Sequence, residues 1–365
     1  MRTVGVYIHI PFCKHKCPYC DFFSGKGDEA EYDRYVAETV RIIHYQAQLC
    51  DKKVISVYFG GGTPSVIGAE RLCILLDAVK SSFDMVPNAE ITCEVNPESG
   101  KNIDFEMMRA CGFNRLSVGL QSAVPTELEA LGRIHTAKEA QLTVRRAKAA
   151  GFHNISLDLM LAIPHQTLET LKESIDFCAQ CEVQHISSYL LKIEEGTKFY
   201  SDLEKLPLPD EDMQADLYLT AVDYLAKYGY KQYEISNFAQ PGLEGQHNLN
   251  YWRCGEYLGI GPSAHSFFDG KRFYYGRNMQ DYYDCKIIDD GTGGDSKEYI
   301  MLALRLTEGL RFREYEQRYV SPVPHSFIKK AEQFAKHGLM IINHDGTRMT
   351  AKGFLVSNAI ISELI

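Results

Sequence analysis

At 365 residues, with 45% hydrophobic and 24% charged side chains, the composition is that of an ordinary folded protein, long enough for a barrel-sized domain and a smaller one. A net charge of −9 argues against a nucleic-acid scaffold, which usually carries a basic stripe, though a local basic pocket remains compatible with it. No apolar run approaches the ~20 residues of a membrane span, Met1-Arg2-Thr3 leads into a strand without a signal-peptide core, and eleven cysteines without a secretory signal fit a reducing cytosol; a cytoplasmic chain with no transmembrane segment and no nucleic-acid partner is expected.

Through the first two-thirds, apolar β-rich runs alternate with longer amphipathic stretches. The predicted strands are Val4–Ile10, Val54–Phe59, Ala89–Val95, Arg115–Leu120, Ile155–Leu161 and His185–Leu191. Helical patterns lie between them at 31–49, 70–83, 103–111, 137–150 and 168–181. Six such repeats predict a parallel sheet, because each crossover needs a helix. Near-continuous apolar strands predict burial on both faces. Six units fall short of an eight-unit closure, so the expected fold is α/β, a partial (β/α)6 TIM-like barrel over residues 1–235, with its site at the C-terminal ends of the strands. Residues 236–290, rich in Gly, Asn and aromatics, read as a connecting region, and Asp289 to Ser296 as its clearest linker. Residues 291–365 read as a small, mainly helical, winged-helix-like C-terminal domain with short helices at 297–310, 313–319 and 326–337 and a strand pair at its end.

The strongest chemical signal is Cys13-Lys14-His15-Lys16-Cys17-Pro18-Tyr19-Cys20, directly after the first strand. Three thiols in eight residues make a poor core and a good metal site. A structural zinc site usually has four protein ligands, and apart from His15 inside the loop no fourth Cys or His stands at a suitable spacing. Iron–sulfur clusters are held by Cys thiolates, and three of them leave one iron of a [4Fe–4S] cluster open. The later strand ends carry Gly60-Gly61-Gly62-Thr63-Pro64, then Glu94 with Asn96-Pro97, then Gln121, with Asp158 inside the fifth strand. Polar residues recurring at one end of apolar strands are expected to converge on one cavity. A triple-glycine turn lets backbone approach a ligand closely, and neither phosphate-loop fingerprint is present.

The C-x3-C-x2-C loop is identified as that of the radical S-adenosylmethionine (SAM) superfamily. More specifically, Tyr7 to Cys13, Gly60 to Pro64, Glu94 to Pro97, Phe113 to Ser117, Gly119 to Ser122 and Leu131 to His135 resemble the oxygen-independent coproporphyrinogen III oxidases and the related HemW heme chaperones, a likeness that covers most of the chain. The resemblance implies a radical SAM-type barrel with a [4Fe–4S] cluster on Cys13, Cys17 and Cys20. It implies SAM at the open iron, contacted by Tyr7, Tyr19, Gly61, Gly62, Thr63, Glu94, Gln121, Arg133 and Asp158. Two features separate chaperone from oxidase: Phe22 stands where the oxidases carry a further Cys, and His247-Asn248-Leu249-Asn250-Tyr251-Trp252 fits the H-N-x-x-Y-W signature of the chaperones. His247 would then be an axial heme ligand, with neighbouring aromatics, Trp252 among them, against the porphyrin. The implied function is heme binding and transfer to acceptor hemoproteins, respiratory enzymes at the membrane being the expected class, with SAM a structural or regulatory ligand. The rivals are oxidative decarboxylation of coproporphyrinogen III and radical SAM chemistry on another tetrapyrrole, and a homodimer is compatible with either.

Ala162 and His165 replace glycines common in relatives at the turn after the fifth strand, which puts in doubt a second SAM or substrate pocket built there. Cys178, Cys181 and His185 have a zinc-like spacing, but cysteines three apart on an amphipathic helix are more often core. Cys50, Cys73, Cys93, Cys111 and Cys285 read as small core hydrophobes.

Overall fold

The computed structural model describes residues 2–365, and in it all six expected strands form: β1 (Thr3–Ile10), β2 (Lys53–Gly61), β3 (Met85–Val95), β4 (Arg115–Gln121), β5 (Ile155–Leu161) and β6 (His185–Leu190). They pair in parallel and in chain order. Every residue of β4 and six of the eight in β1 are buried, so both faces are covered and the unbroken apolar runs are accounted for. The intervening helices are α1 (Glu29–Gln48), α2 (Ala69–Ser82), α3 (Phe105–Cys111), α4 (Ala137–Ala149) and α5 (Leu168–Gln180). Reciprocal caps set three of their starts: Asp28 with Glu31, Thr136 with Glu139, and Thr167 with Thr170. Cys73 of α2 and Cys111 of α3 are paired sulfur to sulfur, a link between helices where the sequence reading has two separate core thiols.

Past β6, α6 (Glu211–Lys227) is followed by β7 (Lys231–Gln232) and β8 (Asn237–Ala239), which close the β6 edge in antiparallel fashion. The opposite edge is extended from the expected connecting region. After α7 (Gln246–Trp252), β9 (Tyr257–Ile260) pairs in parallel with β1, and antiparallel β10 (His265–Phe268), β11 (Lys271–Tyr275) and β12 (Ile287–Thr292) complete a 12-stranded sheet. The expected linker at 289–296 is therefore strand up to Thr292, and its Asp295 accepts from the Glu298 N–H at 2.8 Å as the cap of α8 (Ser296–Ala303). Its Gly and Asp content suits an edge strand exposed along its whole length, which composition alone does not distinguish from a linker.

The C-terminal part adds α9 (Phe312–Tyr319), α10 (His325–Lys336), α11 (Ala351–Leu355) and α12 (Ser357–Leu364). A small antiparallel sheet of β13 (Leu310–Arg311), β15 (Gly346–Met349) and β14 (Met340–Ile342) adds one strand to the expected pair. No helix among the described residues is long and apolar enough to cross a membrane.

Contacts from distant strands hold α7 in place. Its N-cap Gly245 offers no side chain; instead Glu90 of β3 accepts from the backbone N–H groups of Gln246 and His247, both at 3.0 Å. Arg115 of β4 lies 4.0 Å from the same carboxylate. Gly5 lets the helix approach β1: a Cβ there would stand 3.3 Å from Asn250 Nδ2 and 3.4 Å from the His247 ring. The H-N-x-x-Y-W segment is thus packed against β1 and β2 rather than carried on a free loop.

Candidate functional site

The strand ends open onto a cavity of about 140 Å3. Cys13, Cys17 and Cys20 line it together with Tyr19, Gly61, Gly62, Thr63, Glu94, Gln121, Arg133 and Asp158, eleven of the thirteen expected site residues. Tyr7 and His247 lie outside it. Fixed polar contacts hold the thiol side of the cavity. Arg133 donates from Nη1 to Cys17 Sγ at 3.4 Å, and from Nη2 to Asn96 Oδ1 at 2.9 Å and the Gly119 carbonyl at 3.1 Å. Asn96 in turn donates to Thr63 Oγ1 at 2.9 Å, and that hydroxyl lies 3.3 Å from Cys13 Sγ. Asn96 is the hub that sequence reasoning noticed only as a strand-end residue.

The glycine turn is as tight as its sequence suggests. Gly61 has φ 107°, and a Cβ there would stand 2.7 Å from the His9 ring; at Gly62 it would stand 2.6 Å from the Phe12 carbonyl oxygen. Opposite, Gln121 adopts a left-handed φ of 69°, and its side-chain oxygen accepts from the Tyr189 hydroxyl at 3.1 Å. Ser117 donates to Asp158 Oδ1 at 2.9 Å. Ser117 and Tyr189 both line the cavity, and no sequence signal marked Tyr189. The donor set fits a [4Fe–4S] cluster: three half-buried thiols line one pocket, and the Arg133 guanidinium donates to the sulfur of Cys17.

Glu94 is half-buried at the cavity wall and accepts from the Tyr58 hydroxyl at 2.8 Å. Burial, reinforced by the negative charge of Asp158 and only partly offset by the Tyr58 bond, raises its pKa to about 7; burial also raises that of Asp158. The folded chain therefore holds a proton that the unfolded chain releases above the ordinary carboxyl value of 4.5, so this carboxyl stabilises the fold less as pH rises toward 7. Thermal melts of wild type and Glu94→Gln, in the same cluster state, are expected to show the variant gaining on wild type between pH 5 and pH 8, by on the order of 3 kcal/mol. Parallel pH profiles would remove Glu94 as the titrating group.

A second cavity, of about 470 Å3, shares Tyr19, Cys20, Glu94 and Asp158 with the first and extends to Asn237 and Asn248. His247 does not reach either. It is buried, its Nδ1 lies 2.8 Å from Ser56 Oγ, its Nε2 lies 2.8 Å from the Tyr251 hydroxyl, and its ring stacks on Tyr58 at 5.2 Å. Burial and the nearby Arg115 charge lower its pKa to about 3. As placed, it has no nitrogen free to ligate iron, contrary to the sequence expectation. Trp252 packs instead beside Tyr233, Leu249 and Leu306, under the Arg305 guanidinium. Tyr7 bonds His9 Nδ1 at 3.1 Å.

Ala162 and His165 adopt φ values of 58° and 69°, the left-handed region that the replaced glycines favour, but their turn lines none of the cavities described. The zinc-like trio is core: Cys178 and Cys181 are buried, and both nitrogens of His185 are taken, by Ser156 and Tyr233 at 2.8 Å each.

Residues 7–178 match the radical SAM superfamily, and residues 296–356 match the HemN C-terminal domain. The chain is 33% identical to the heme chaperone HemW of Mycobacterium tuberculosis, the alignment covering all of this chain and 95% of that one. It is 32% identical to the HemW of Bacillus subtilis over 99% of both, and 36% identical to that of Escherichia coli over 84% of each. Among solved structures, coproporphyrinogen III oxidase (HemN) of Escherichia coli, a radical SAM enzyme, superposes on all of this chain and 90% of its own with a TM-score of 0.84. At 23% identity that likeness is one of fold.

Proposed function

The chain belongs to the HemW family of the radical SAM superfamily, and on that footing we propose that it binds heme and passes it to acceptor hemoproteins, with respiratory enzymes at a membrane as the acceptor class. The observation that carries this reading is near-complete alignment with proteins named heme chaperones, together with Phe22 in place of a further Cys. Cys13, Cys17 and Cys20 would hold the cluster, and Arg133 would offset thiolate charge at Cys17. Bound there, a [4Fe–4S] cluster supplies an open iron for SAM and an electron for its reductive cleavage. The Gly61-Gly62 backbone would meet an ammonium group, Glu94 and Asp158 would accept from amino or hydroxyl groups, and Thr63, Tyr19 and Gln121 would border the same ligand, a reading supported by their lining one cavity. Tyr7 lies outside this cavity, with its ring edge against Gly60. His247 serves as the anchor of Tyr251 rather than as an open ligand, since both its nitrogens are engaged.

The second reading, decarboxylation of coproporphyrinogen III, is favoured only by the fold of HemN. Anaerobic titration of the reconstituted protein with ferric hemin, paired with product analysis after incubation with coproporphyrinogen III and SAM, separates the two. Saturable binding near one equivalent without protoporphyrinogen is the expected result. Protoporphyrinogen formation with no saturable hemin binding would overturn the chaperone reading.

A further inference from the structure

A third cavity, of about 470 Å3, lies beyond Phe22 from the thiols, between the Cys loop, β9–β11 and α8. Its walls are largely apolar: Phe22, Phe23, Tyr251, Tyr257, Met301 and Leu302. That size falls within the ~300–1,000 Å3 of small-molecule pockets, which pair apolar walls with a few placed polar groups. The polar groups here are His265, Arg272 and Arg277, together with His9, Ser263 and the Glu298 carboxylate that pairs with Arg272. Two imidazoles line the cavity, and they differ in one respect. His9 is spent, with Nδ1 on the Tyr7 hydroxyl at 3.1 Å and Nε2 on the Phe23 carbonyl at 2.9 Å. His265 is exposed at the rim, stacked flat on Tyr274 at 4.6 Å, and neither of its nitrogens has a hydrogen-bond partner among the described residues. The ring is thus oriented by its neighbour while its donor atoms stay open.

Resting on the heme-binding reading above, we propose that this cavity seats the tetrapyrrole, with the His265 imidazole as axial ligand to its iron and Arg277 and Arg272 facing its carboxylates. A neutral imidazole is a standard iron ligand and needs no proton removed to bind. Partial burial, together with Arg272 and Arg277 and against the pull of Asp290, keeps the pKa of His265 below its ordinary value. Arg277 is positioned by Asp21, 2.9 Å from Nη2, yet its side chain is 58% exposed, which leaves guanidinium N–H groups for a carboxylate. Arg272 is held by Glu298 and by the Tyr257 hydroxyl, to which it donates at 3.1 Å. The placement also gives Phe22 and Asp21 a role: the loop that carries the thiols supplies one wall of the cavity and the clamp on one of its arginines. Tyr251, held from behind by His247, supplies another wall, so the H-N-x-x-Y-W segment shapes the cavity without offering His247 to it.

The test is a ferric hemin titration of the reconstituted full chain, wild type against His265→Ala, followed at the Soret band, with metal-free protoporphyrin IX titrated in parallel. The variant is expected to bind hemin about tenfold or more weakly with a shifted Soret band, and added imidazole is expected to restore the wild-type spectrum. Protoporphyrin IX is expected to bind both proteins alike, since the apolar walls are intact. Unchanged hemin affinity and spectrum in the variant would overturn this assignment while leaving the chaperone reading in place. Equal loss of protoporphyrin and hemin, with no rescue, would make His265 a residue of the wall and not a ligand. Absence of saturable hemin binding by wild type would overturn the chaperone reading itself, and the assignment with it.

Discussion

Replacement of any one of Cys13, Cys17 and Cys20 by Ala is expected to abolish assembly of the iron–sulfur cluster. After anaerobic reconstitution, iron should fall from about four atoms per chain to near zero, and the broad visible absorbance should vanish with it. The argument is one of ligand number. A radical SAM-type cluster already has one iron without a protein thiolate, so a variant retains two thiolates for four irons, and no further cysteine lines the cavity to replace the third. His15 of the loop lines the same cavity, as do the carboxyls of Glu94 and Asp158, and is the alternative nitrogen ligand the loop itself offers. Its rescue of one variant and not the other two would show up as unequal iron content. Cys178→Ala is the matched control: its thiol is fully buried in the core, apart from the cavity, and iron content should not change. Near-wild-type iron in all three loop variants would sink the cluster assignment. Because Phe22 and Asp21 follow Cys20 directly, loss of the cluster should also weaken hemin binding in the neighbouring cavity, whose wall and Arg277 clamp they provide.

Glu90→Ala is expected to cost more stability than any substitution on the surface. Glu90 and Arg115 are both buried, and the carboxylate also accepts the first two N–H groups of α7. Truncating it removes the carboxylate 4.0 Å from the Arg115 guanidinium and leaves Asp158 as the other carboxyl acting on it, a loss at or below the ~3–5 kcal/mol of well-bonded buried pairs. The lost helix cap adds ~1 kcal/mol. Against a typical total of ~5–15 kcal/mol, that is a large fraction, and it should appear as a drop in the urea midpoint with little change in slope. Glu90→Gln, which keeps an acceptor but not the charge, should fall between. A midpoint for Glu90→Ala equal to wild type would mean that α7 is fixed by its apolar contacts alone. The same variant should loosen Tyr251, and with it one wall of the cavity assigned to heme, without touching the cluster.

The barrel half was legible from the sequence because its signals are local. Buried parallel strands announce themselves as continuous apolar runs and the helices between them as amphipathic stretches, whose starts the structure fixes with caps at Asp28, Thr136 and Thr167. The cavity was legible for a related reason. In a parallel sheet the strand ends all lie on one side, so residues far apart in sequence at equivalent positions must meet, as Cys13, Thr63, Glu94, Arg133 and Asp158 do.

What the chain by itself determined was therefore the three-thiol loop after the first strand, the order of six parallel strands and the face on which their polar ends gather. The tertiary structure alone decided the rest. That residues 257–292 extend the sheet on the β1 edge follows from pairings between strands far apart in the chain, which no short window encodes. That His247 is enclosed and His265 open depends on which groups surround each ring: a helix packed over Gly5 brings Ser56 and Tyr251 to both nitrogens of the first, while an exposed strand rim presents only a tyrosine face to the second. A histidine's chemistry is set by its hydrogen-bond partners and its exposure, and both are properties of the fold.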